Sequence, residues 1–317
     1  MAKQRIGVTA MGGDSKAVVA RIQELERMGV SAAWLTTGGA GLDGLTLFAA
    51  AAARTERILL GTCITPTWPR HPIVTASQAQ VVAQLSPGRF RLGVGPSHKA
   101  GMETMFGAHF RTALANLREY LTIVKTLLRE GSVDFDGEHY HAHAKIEAPV
   151  RDVPVMASAL RRRSFELCGE HADGAISWVC PGHYLREVAL PAMKEGARKA
   201  ERDTPPLVAH VPVCVHDNLR EVRAVAREQM VYYPKLPFYQ QMFVDAGYPE
   251  AKEGAWSDRL LDAVVAMGKE EQVAGKLREL LAWGATEIIA MPITAGPQRD
   301  ASMRRTLSCL AEVSKTL

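Results

Sequence analysis

Short apolar runs alternate with longer amphipathic stretches from one end of the chain to the other. Eight of the runs have the length and apolar character of buried strands. They lie at residues 6–10, 31–37, 57–64, 89–95, 153–158, 174–179, 207–215 and 286–293. Helical stretches separate them, and apolar residues recur at intervals of three and four most clearly over 114–128 and 303–317. The pattern predicts strands and helices in strict alternation.

Strands that alternate with helices pair in parallel through right-handed crossovers, and eight such units most often close into a barrel. A doubly wound open sheet is the structural alternative. That fold usually has a turn of the form G-x-G-x-x-G after its first strand, and MGGDSKAVVAR at this place does not fit it. We therefore expect one α/β domain over residues 1–317, a (β/α)8 or TIM barrel.

Two intervals are longer than an ordinary connection between a strand and a helix. Residues 96–109 follow the fourth strand, and residues 229–265 lie between the seventh and the eighth. The second interval is rich in aromatic residues, namely Tyr232, Tyr233, Phe238, Tyr239, Phe243 and Tyr248. We expect an insertion at each place. The aromatic one is either a substrate lid or a set of extra helices that cover the barrel or contact a second subunit.

The bulk composition limits the partners of the chain. Its 47% hydrophobic and 23% charged residues are typical of a globular protein, and the net charge of +4, with acidic and basic residues interspersed, argues against a nucleic-acid partner. Five scattered cysteines without a C-x-x-C pair predict reduced thiols. The sequence shows no secretory segment and no run of 18 apolar residues, so we expect a cytoplasmic protein without a membrane span.

Chemistry in such a barrel lies at the carboxyl ends of the strands, and two of these exits are distinctive. The third strand runs into GTCITPTWPRHP over residues 61–72, and the fourth lies in SPGRFRLGVGPSH over residues 86–98. Gly93 and Gly95 leave room for the backbone or a planar ligand to approach closely. A glycine pair in a strand more often marks a bulge, so neither exit alone predicts a cofactor site.

Together the two exits resemble the luciferase-like monooxygenase superfamily, whose members carry G-T-x-[VI]-x-P and then G-R-[FV]-x-L-G-V-G. Three later segments, at 116–140, 153–178 and 267–292, resemble the superfamily's next helix and hairpin, its strand-helix-strand unit and its closing helix and strand. The resemblance covers nearly the whole chain. It implies a barrel oxidoreductase with a flavin-like cofactor, commonly a homodimer.

The segment GVGPSHKAGMETMFG, residues 93–107, resembles a subgroup of reductases that use the deazaflavin coenzyme F420. In that branch a non-prolyl cis peptide bond supports the cofactor ring, and the match places it at Cys63–Ile64. The resemblance implies hydride transfer between coenzyme F420 and a small enone, imine, carbonyl or alcohol. The alternatives on the same fold are a monooxygenase dependent on flavin mononucleotide (FMN) and a non-catalytic flavin-binding protein.

The position of active sites at the carboxyl ends of barrel strands and the resemblance together imply a set of cofactor contacts. Its members are Thr37, Cys63, Ile64, Thr65, Gly95, Ser97, Ala157, Ser158, Ala159, Arg161, Arg162 and Arg163. Residues 63–65 would support the ring, residues 95–98 would edge the pocket, and residues 157–159 with the next helix start would take the phosphate or ribityl part.

The sequence SALRRR, residues 158–163, departs from the family's A-x-G-[GP] turn. Arginine can hold phosphate through its planar fork, which suits the anionic tail of the deazaflavin. The alternative is a solvated basic start of a helix.

His98 is the candidate catalytic residue. It lies where the sugar-phosphate dehydrogenase branch has a carboxylate that donates a proton, and histidine can act as a general acid near neutral pH. The alternative is a structural histidine bonded to a loop carbonyl. That branch also binds sugar phosphate through a lysine after the sixth strand, where this chain has WVCPG. We therefore do not expect a sugar-phosphate substrate.

His139, His141 and His143 alternate, so on a strand they would share one face, and three histidines at that spacing can bind zinc. The stretch resembles the superfamily's surface hairpin, far from the expected site. We therefore expect no metal centre.

Overall fold

The computed structural model describes residues 4–317, and the first three residues of the predicted domain lie outside this range. Its barrel consists of eight parallel strands, β1 (Arg5–Thr9), β2 (Ala32–Leu35), β3 (Leu59–Thr62), β4 (Phe90–Gly95), β5 (Val155–Ser158), β6 (Ala175–Trp178), β7 (Leu207–Val215) and β8 (Glu287–Pro292). Because β7 pairs with both β6 and β8, and β8 pairs with β1, the sheet closes on itself. The predicted (β/α)8 barrel is confirmed, and the doubly wound alternative is excluded.

Helices surround the barrel and bury their apolar faces against it. They are α1 (Ser15–Met28), α2 (Gly44–Ala52), α3 (Pro72–Leu85), α4 (Lys99–Phe106), α5 (Ala113–Glu130), α6 (Arg162–His171), α7 (Gly182–Tyr184), α8 (Leu190–Lys199), α9 (Leu219–Gln229), α10 (Pro237–Asp245), α11 (Asp258–Val264), α12 (Glu270–Ala282) and α13 (Arg299–Lys315). The two periodic stretches of the sequence are α5 and α13. In α5 the residues Leu117, Leu121, Val124 and Leu128 are all buried, as their spacing predicts.

Both predicted insertions are present. Residues 96–109 contain α4, and residues 229–265 contain α10, α11 and two 3-10 turns, Tyr233–Lys235 and Pro249–Glu253. Within residues 4–317, no helix is both long and apolar enough to cross a membrane.

The amino-terminal end of the barrel interior is closed by Trp34, Arg91 and Glu287. The Glu287 carboxylate, 2% exposed, accepts hydrogen bonds from both terminal nitrogens of Arg91 and, at 2.9 Å, from Trp34 Nε1. Glycines make room for the indole, since a Cβ at Gly7 or Gly61 would lie 2.5 Å from it. Around the indole, a layer of apolar side chains fills the barrel, with Met156, Ile176, Val208 and Ile289 among its members.

Candidate active site

A cavity of about 1670 Å³ opens at the carboxyl-terminal end of the barrel. Because side chains alternate along a strand, seven of the eight strands turn a residue toward this space, at or near their carboxyl ends except in β7, where the residue lies in mid-strand. The cavity is lined in this way by Thr9, Thr36, Cys63, Ser158, Trp178, His210 and Met291. Pockets for single small ligands typically measure about 300–1,000 Å³, so this cavity has room for a cofactor and a substrate together.

Most of the site residues predicted from the sequence come together here. The cavity is lined by Thr37, Cys63, Ile64, Ser97, His98, Ser158, Ala159, Arg161, Arg162 and Arg163. Thr65 and Ala157 are fully buried and do not line it.

The glycine pair of β4 makes room for the protein itself. A Cβ at Gly95 would lie 2.1 Å from the hydroxyl of Ser158, and one at Gly93 would lie 2.0 Å from the carbonyl oxygen of Thr62. Gly95 therefore does not line the cavity but lets Ser158 turn toward it. At Gly93 the close neighbour is the backbone of Thr62 and not a ligand.

The exit of β3 has the backbone that the resemblance implied, with a cis peptide bond at Cys63–Ile64. The Thr36 hydroxyl donates to the Cys63 carbonyl at 2.9 Å and lies 3.4 Å from its thiol. Burial raises the pKa of the Cys63 thiol to about 12, so the group is a neutral wall of the cavity and not a nucleophile at physiological pH.

The arginines at the start of α6 give the cavity a cationic edge. The Ser164 hydroxyl closes the turn by accepting from the N–H groups of Leu160 and Arg161, at 2.9 and 3.0 Å. Arg161 reaches Asp245 at the end of α10 at 3.5 Å, but its Nε is buried and has no partner within residues 4–317. Residues 162–163, both arginines, are exposed at the rim.

His98 lies at the start of α4 and contacts two tyrosines of the aromatic insertion. Its ring centre is 5.8 Å from that of Tyr233 and 5.7 Å from that of Tyr239. Burial lowers the pKa of His98, which favours the neutral imidazole. Neither ring nitrogen has a hydrogen-bond partner in the described part of the chain, so the loop-carbonyl bond expected of a structural histidine is not there.

The aromatic insertion forms one wall of the cavity. Its lining residues are Tyr233, Leu236, Pro237, Phe238, Tyr239 and Asp245. The segment thus lines the cavity and adds the helices α10 and α11 outside the barrel strands.

His210 on β7 is the functional candidate that the sequence reasoning missed. Its ring lies 4.3 Å from that of Trp178, and its Nε2 is buried without a hydrogen-bond partner among residues 4–317. Burial lowers the pKa of His210 to about 3. The available signal was a histidine at an inward position of LVAHVPVCV, an otherwise apolar strand.

The three alternating histidines lie away from the cavity. His141 and His143 share the outward face of an antiparallel hairpin, whose strands are Ser132–Asp136 and His141–Lys145. There they bond to Asp136 at 2.6 Å and Asp134 at 2.5 Å. His139 precedes the strand and bonds to Thr112 instead. Across residues 4–317 no group of three or more histidine, cysteine or acidic side chains is arranged to hold a metal ion.

Many curated proteins match this chain by sequence, among them a dehydrogenase and a reductase. The F420-dependent glucose-6-phosphate dehydrogenase of Gordonia bronchialis is 34% identical over 179 residues, which is 54% of this chain and 53% of that protein. The chain therefore spans about half the length of that relative. The 5,10-methylenetetrahydromethanopterin reductase of Methanolobus tindarius is 26% identical over 94% of this chain and 97% of its own.

Solved structures share the fold across the whole chain. The coenzyme F420 dependent tetrahydromethanopterin reductase from Methanopyrus kandleri superposes with a TM-score of 0.80 at 20% identity, covering 99% of both chains. A type II Baeyer-Villiger monooxygenase of Pseudomonas putida in complex with FMN gives a TM-score of 0.75 at 17% identity, again over 99% of both. A family model for luciferase-like monooxygenases matches residues 1–287. This chain therefore belongs to the luciferase-like monooxygenase family.

Proposed function

We propose that this chain is an oxidoreductase that transfers a hydride between coenzyme F420 and a small organic substrate. The observation that carries the proposal is the division of one large cavity into a cationic edge and an uncharged interior wall. Such a cavity suits a cofactor with an anionic tail and an uncharged ring. Of the two relatives described above, one is an F420-dependent dehydrogenase and the other a reductase, which favours the deazaflavin over FMN.

The cationic edge fits the tail of the cofactor. Arg161 Nε is buried without a partner in residues 4–317, and a buried donor of this kind is costly unless a ligand accepts from it. Two further arginines follow at the rim, and the free N–H groups at the start of α6 favour an anion. We assign the phosphate or another acidic group of the tail to this edge.

The exit of β3 fits the ring. Ile64 and the neutral thiol of Cys63 present an uncharged surface to the cavity beside the hydroxyl groups of Thr36 and Thr37. When bound, the deazaflavin supplies or accepts the hydride at a ring carbon, which stands where a flavin has the nitrogen that allows oxygen chemistry. The protein contributes orientation and exclusion of water.

His98 would move the proton that accompanies the hydride. Its lowered pKa keeps the ring neutral near pH 7, so a ring nitrogen can accept the hydroxyl proton of an alcohol as that alcohol is oxidised. In the reductive direction the same nitrogen must first be protonated before it donates. We therefore expect the rate of oxidation to be greater at higher pH and the rate of reduction to be greater at lower pH.

Titration of the purified chain with each cofactor tests the proposal, with binding followed by cofactor fluorescence. We expect saturable binding of coenzyme F420 and much weaker binding of FMN. Tight binding of FMN without binding of coenzyme F420 would overturn the proposal in favour of a flavin monooxygenase. Binding of coenzyme F420 with no turnover of any enone, imine, carbonyl or alcohol in a panel would indicate a non-catalytic binding protein.

A further inference from the structure

Five rings form a continuous aromatic pocket on the side of the cavity made by β6, β7, α4 and the aromatic insertion. Its members, called here the ring pocket, are His98, Trp178, His210, Tyr233 and Tyr239. Ring centres of neighbours lie 4.3 to 5.8 Å apart, the range of edge-to-face and offset contacts. The pocket therefore offers aromatic faces and edges to a flat ligand.

The ring pocket is uncharged at physiological pH. Burial raises the pKa of Tyr233 and Tyr239 and lowers that of His98 and His210, so each of these groups stays in its neutral form. The charged residues of the cavity lie elsewhere, on α4, at the start of α6 and at the end of α10. They are Lys99, Glu103, Arg161, Arg162, Arg163 and Asp245.

His210 brings a buried polar atom to the ring pocket, as does Trp178, whose indole Nε1 is likewise buried without a partner in residues 4–317. His210 is only 7% exposed and lines the cavity. Its Nε2 has no hydrogen-bond partner in residues 4–317. A buried ring nitrogen without a partner costs about 1–3 kcal/mol, a cost that an oxygen of a ligand would remove. A neutral imidazole can donate from one nitrogen and accept at the other, so it suits a carbonyl or a hydroxyl oxygen.

We propose that the ring pocket is the substrate site and takes an uncharged, planar, unsaturated molecule whose single carbonyl or hydroxyl oxygen bonds to His210 Nε2. His210 is then a positioning residue that fixes the substrate through its oxygen. Anionic substrates such as sugar phosphates are rejected, because a charge placed among these uncharged rings would lose its hydration without gaining an oppositely charged partner. This inference names the substrate class for the proposed function and rests on that function only for the reaction.

Three probes of one shape test the substrate class by fluorine NMR titration of the cofactor-free chain. The probes are 4-fluoroacetophenone, 4-fluoro-α-methylstyrene, in which a CH2 replaces the oxygen, and the anion 4-fluorobenzoate. We expect the ketone to bind about fivefold more tightly than the styrene, the gain of one hydrogen bond. The arginines at the cavity edge can hold an anion, so we expect any binding of the benzoate to be independent of His210. Benzoate binding that weakens with His210→Phe as much as ketone binding does, or no binding of the ketone, would overturn the inference.

The role of His210 is tested with His210→Phe, which keeps a flat ring but has no nitrogen. We expect the ketone to bind this variant about fivefold more weakly and the styrene to bind it within twofold of the wild type. An equal change for both probes would show that the ring only fills space. His210→Leu carries the same comparison should the phenylalanine variant fail to fold.

The matched control is His216→Phe. His216 follows the end of the same strand but lies outside the cavity, where its Nδ1 accepts from the Asn218 N–H at 3.1 Å. We expect this variant to bind all three probes as the wild type does, and a fivefold loss for the ketone would count against a specific role for His210.

Cofactor titration of the same samples separates this inference from the proposed function. Binding of the ketone with the predicted dependence on His210, but no binding of coenzyme F420, would overturn the function and leave the ring pocket standing. Binding of coenzyme F420 without binding of the ketone would overturn the ring pocket as substrate site and leave the proposed function standing.

Discussion

At the amino-terminal end of the barrel interior, the Glu287 carboxylate accepts three hydrogen bonds from Arg91 and Trp34. At the carboxyl-terminal end, His210 Nε2 and Arg161 Nε have no partner within the described residues. The Arg91 guanidinium also stacks over the indole of Trp34 at 4.4 Å, although its own Nε lacks a partner. Buried polar groups at one end are thus largely satisfied by the protein, and those at the other end are not.

This difference separates stability from binding. A buried ion pair with good geometry fixes the arrangement of its neighbours. A buried donor or acceptor without a hydrogen-bond partner instead destabilises the protein, and a ligand that supplies the partner removes that cost. In barrels of this type, the amino-terminal face generally serves stability and the carboxyl-terminal face carries the chemistry. Replacements at the two ends should therefore affect different measurements.

Glu287→Ala should have the largest effect on stability. It leaves the Arg91 guanidinium, 12% exposed, without its carboxylate and removes the acceptor of Trp34 Nε1. We expect the free energy of unfolding in urea to fall by about 3–5 kcal/mol. Replacing both partners, as in Arg91→Met with Glu287→Leu, should recover most of the loss. A loss below about 1 kcal/mol for the single variant would show that the pair does not hold the barrel closed.

His98→Ala should change turnover but not stability. The His98 ring has no hydrogen bond to lose in residues 4–317, while the proposed proton transfer requires the ring. We expect kcat to fall about 100-fold or more, the scale of general acid-base catalysis, with the affinity for coenzyme F420 within twofold. Unchanged turnover would show that His98 only lines the cavity and transfers no proton.

His210→Leu should flatten the dependence of stability on pH. The folded chain keeps this imidazole neutral down to its pKa of about 3, whereas the unfolded chain binds the proton below about pH 6.5. As the pH falls from 6.5, the free energy of unfolding of the wild type therefore decreases by up to about 1.4 kcal/mol per pH unit more than that of the variant. Urea unfolding at pH 6 and pH 4.5 measures the slope, and parallel slopes would contradict a buried neutral histidine.

Asp245→Asn should have the smallest effect. Asp245 is 38% exposed and lies 3.5 Å from Arg161, so the pair contributes little to stability, at most about 1 kcal/mol. Removing the carboxylate frees the guanidinium for the anionic tail of the cofactor. We expect the affinity for coenzyme F420 to rise about two- to threefold in fluorescence titration, an effect of under 1 kcal/mol. Weaker binding would indicate that the tail does not reach Arg161.

The fold followed from the sequence because burial leaves a direct mark on it. Each barrel strand is an apolar run and each long helix an amphipathic repeat, as in α5 and α13. Cavity-lining residues such as Ile64, His98 and Arg161 were reached through the ends of the strands and through motifs of the family. These signals are local in the chain.

The rest depended on contacts between residues far apart in the chain. Nothing local links Trp34 and Arg91 to Glu287, or marks Gly95 as space for Ser158 rather than for a ligand. His210 looked like one polar residue in an apolar strand, and its free nitrogen becomes visible only once β6 and β7 are paired.

A crystal structure of the chain with coenzyme F420 tests most directly whether the carboxyl-terminal end is the binding end. We expect the deazaflavin ring against Cys63 and Ile64, the tail beside Arg161, and the ring pocket around His210 left open for a substrate. A cofactor bound outside the cavity, or one whose tail lies against Trp178 and His210, would contradict the account.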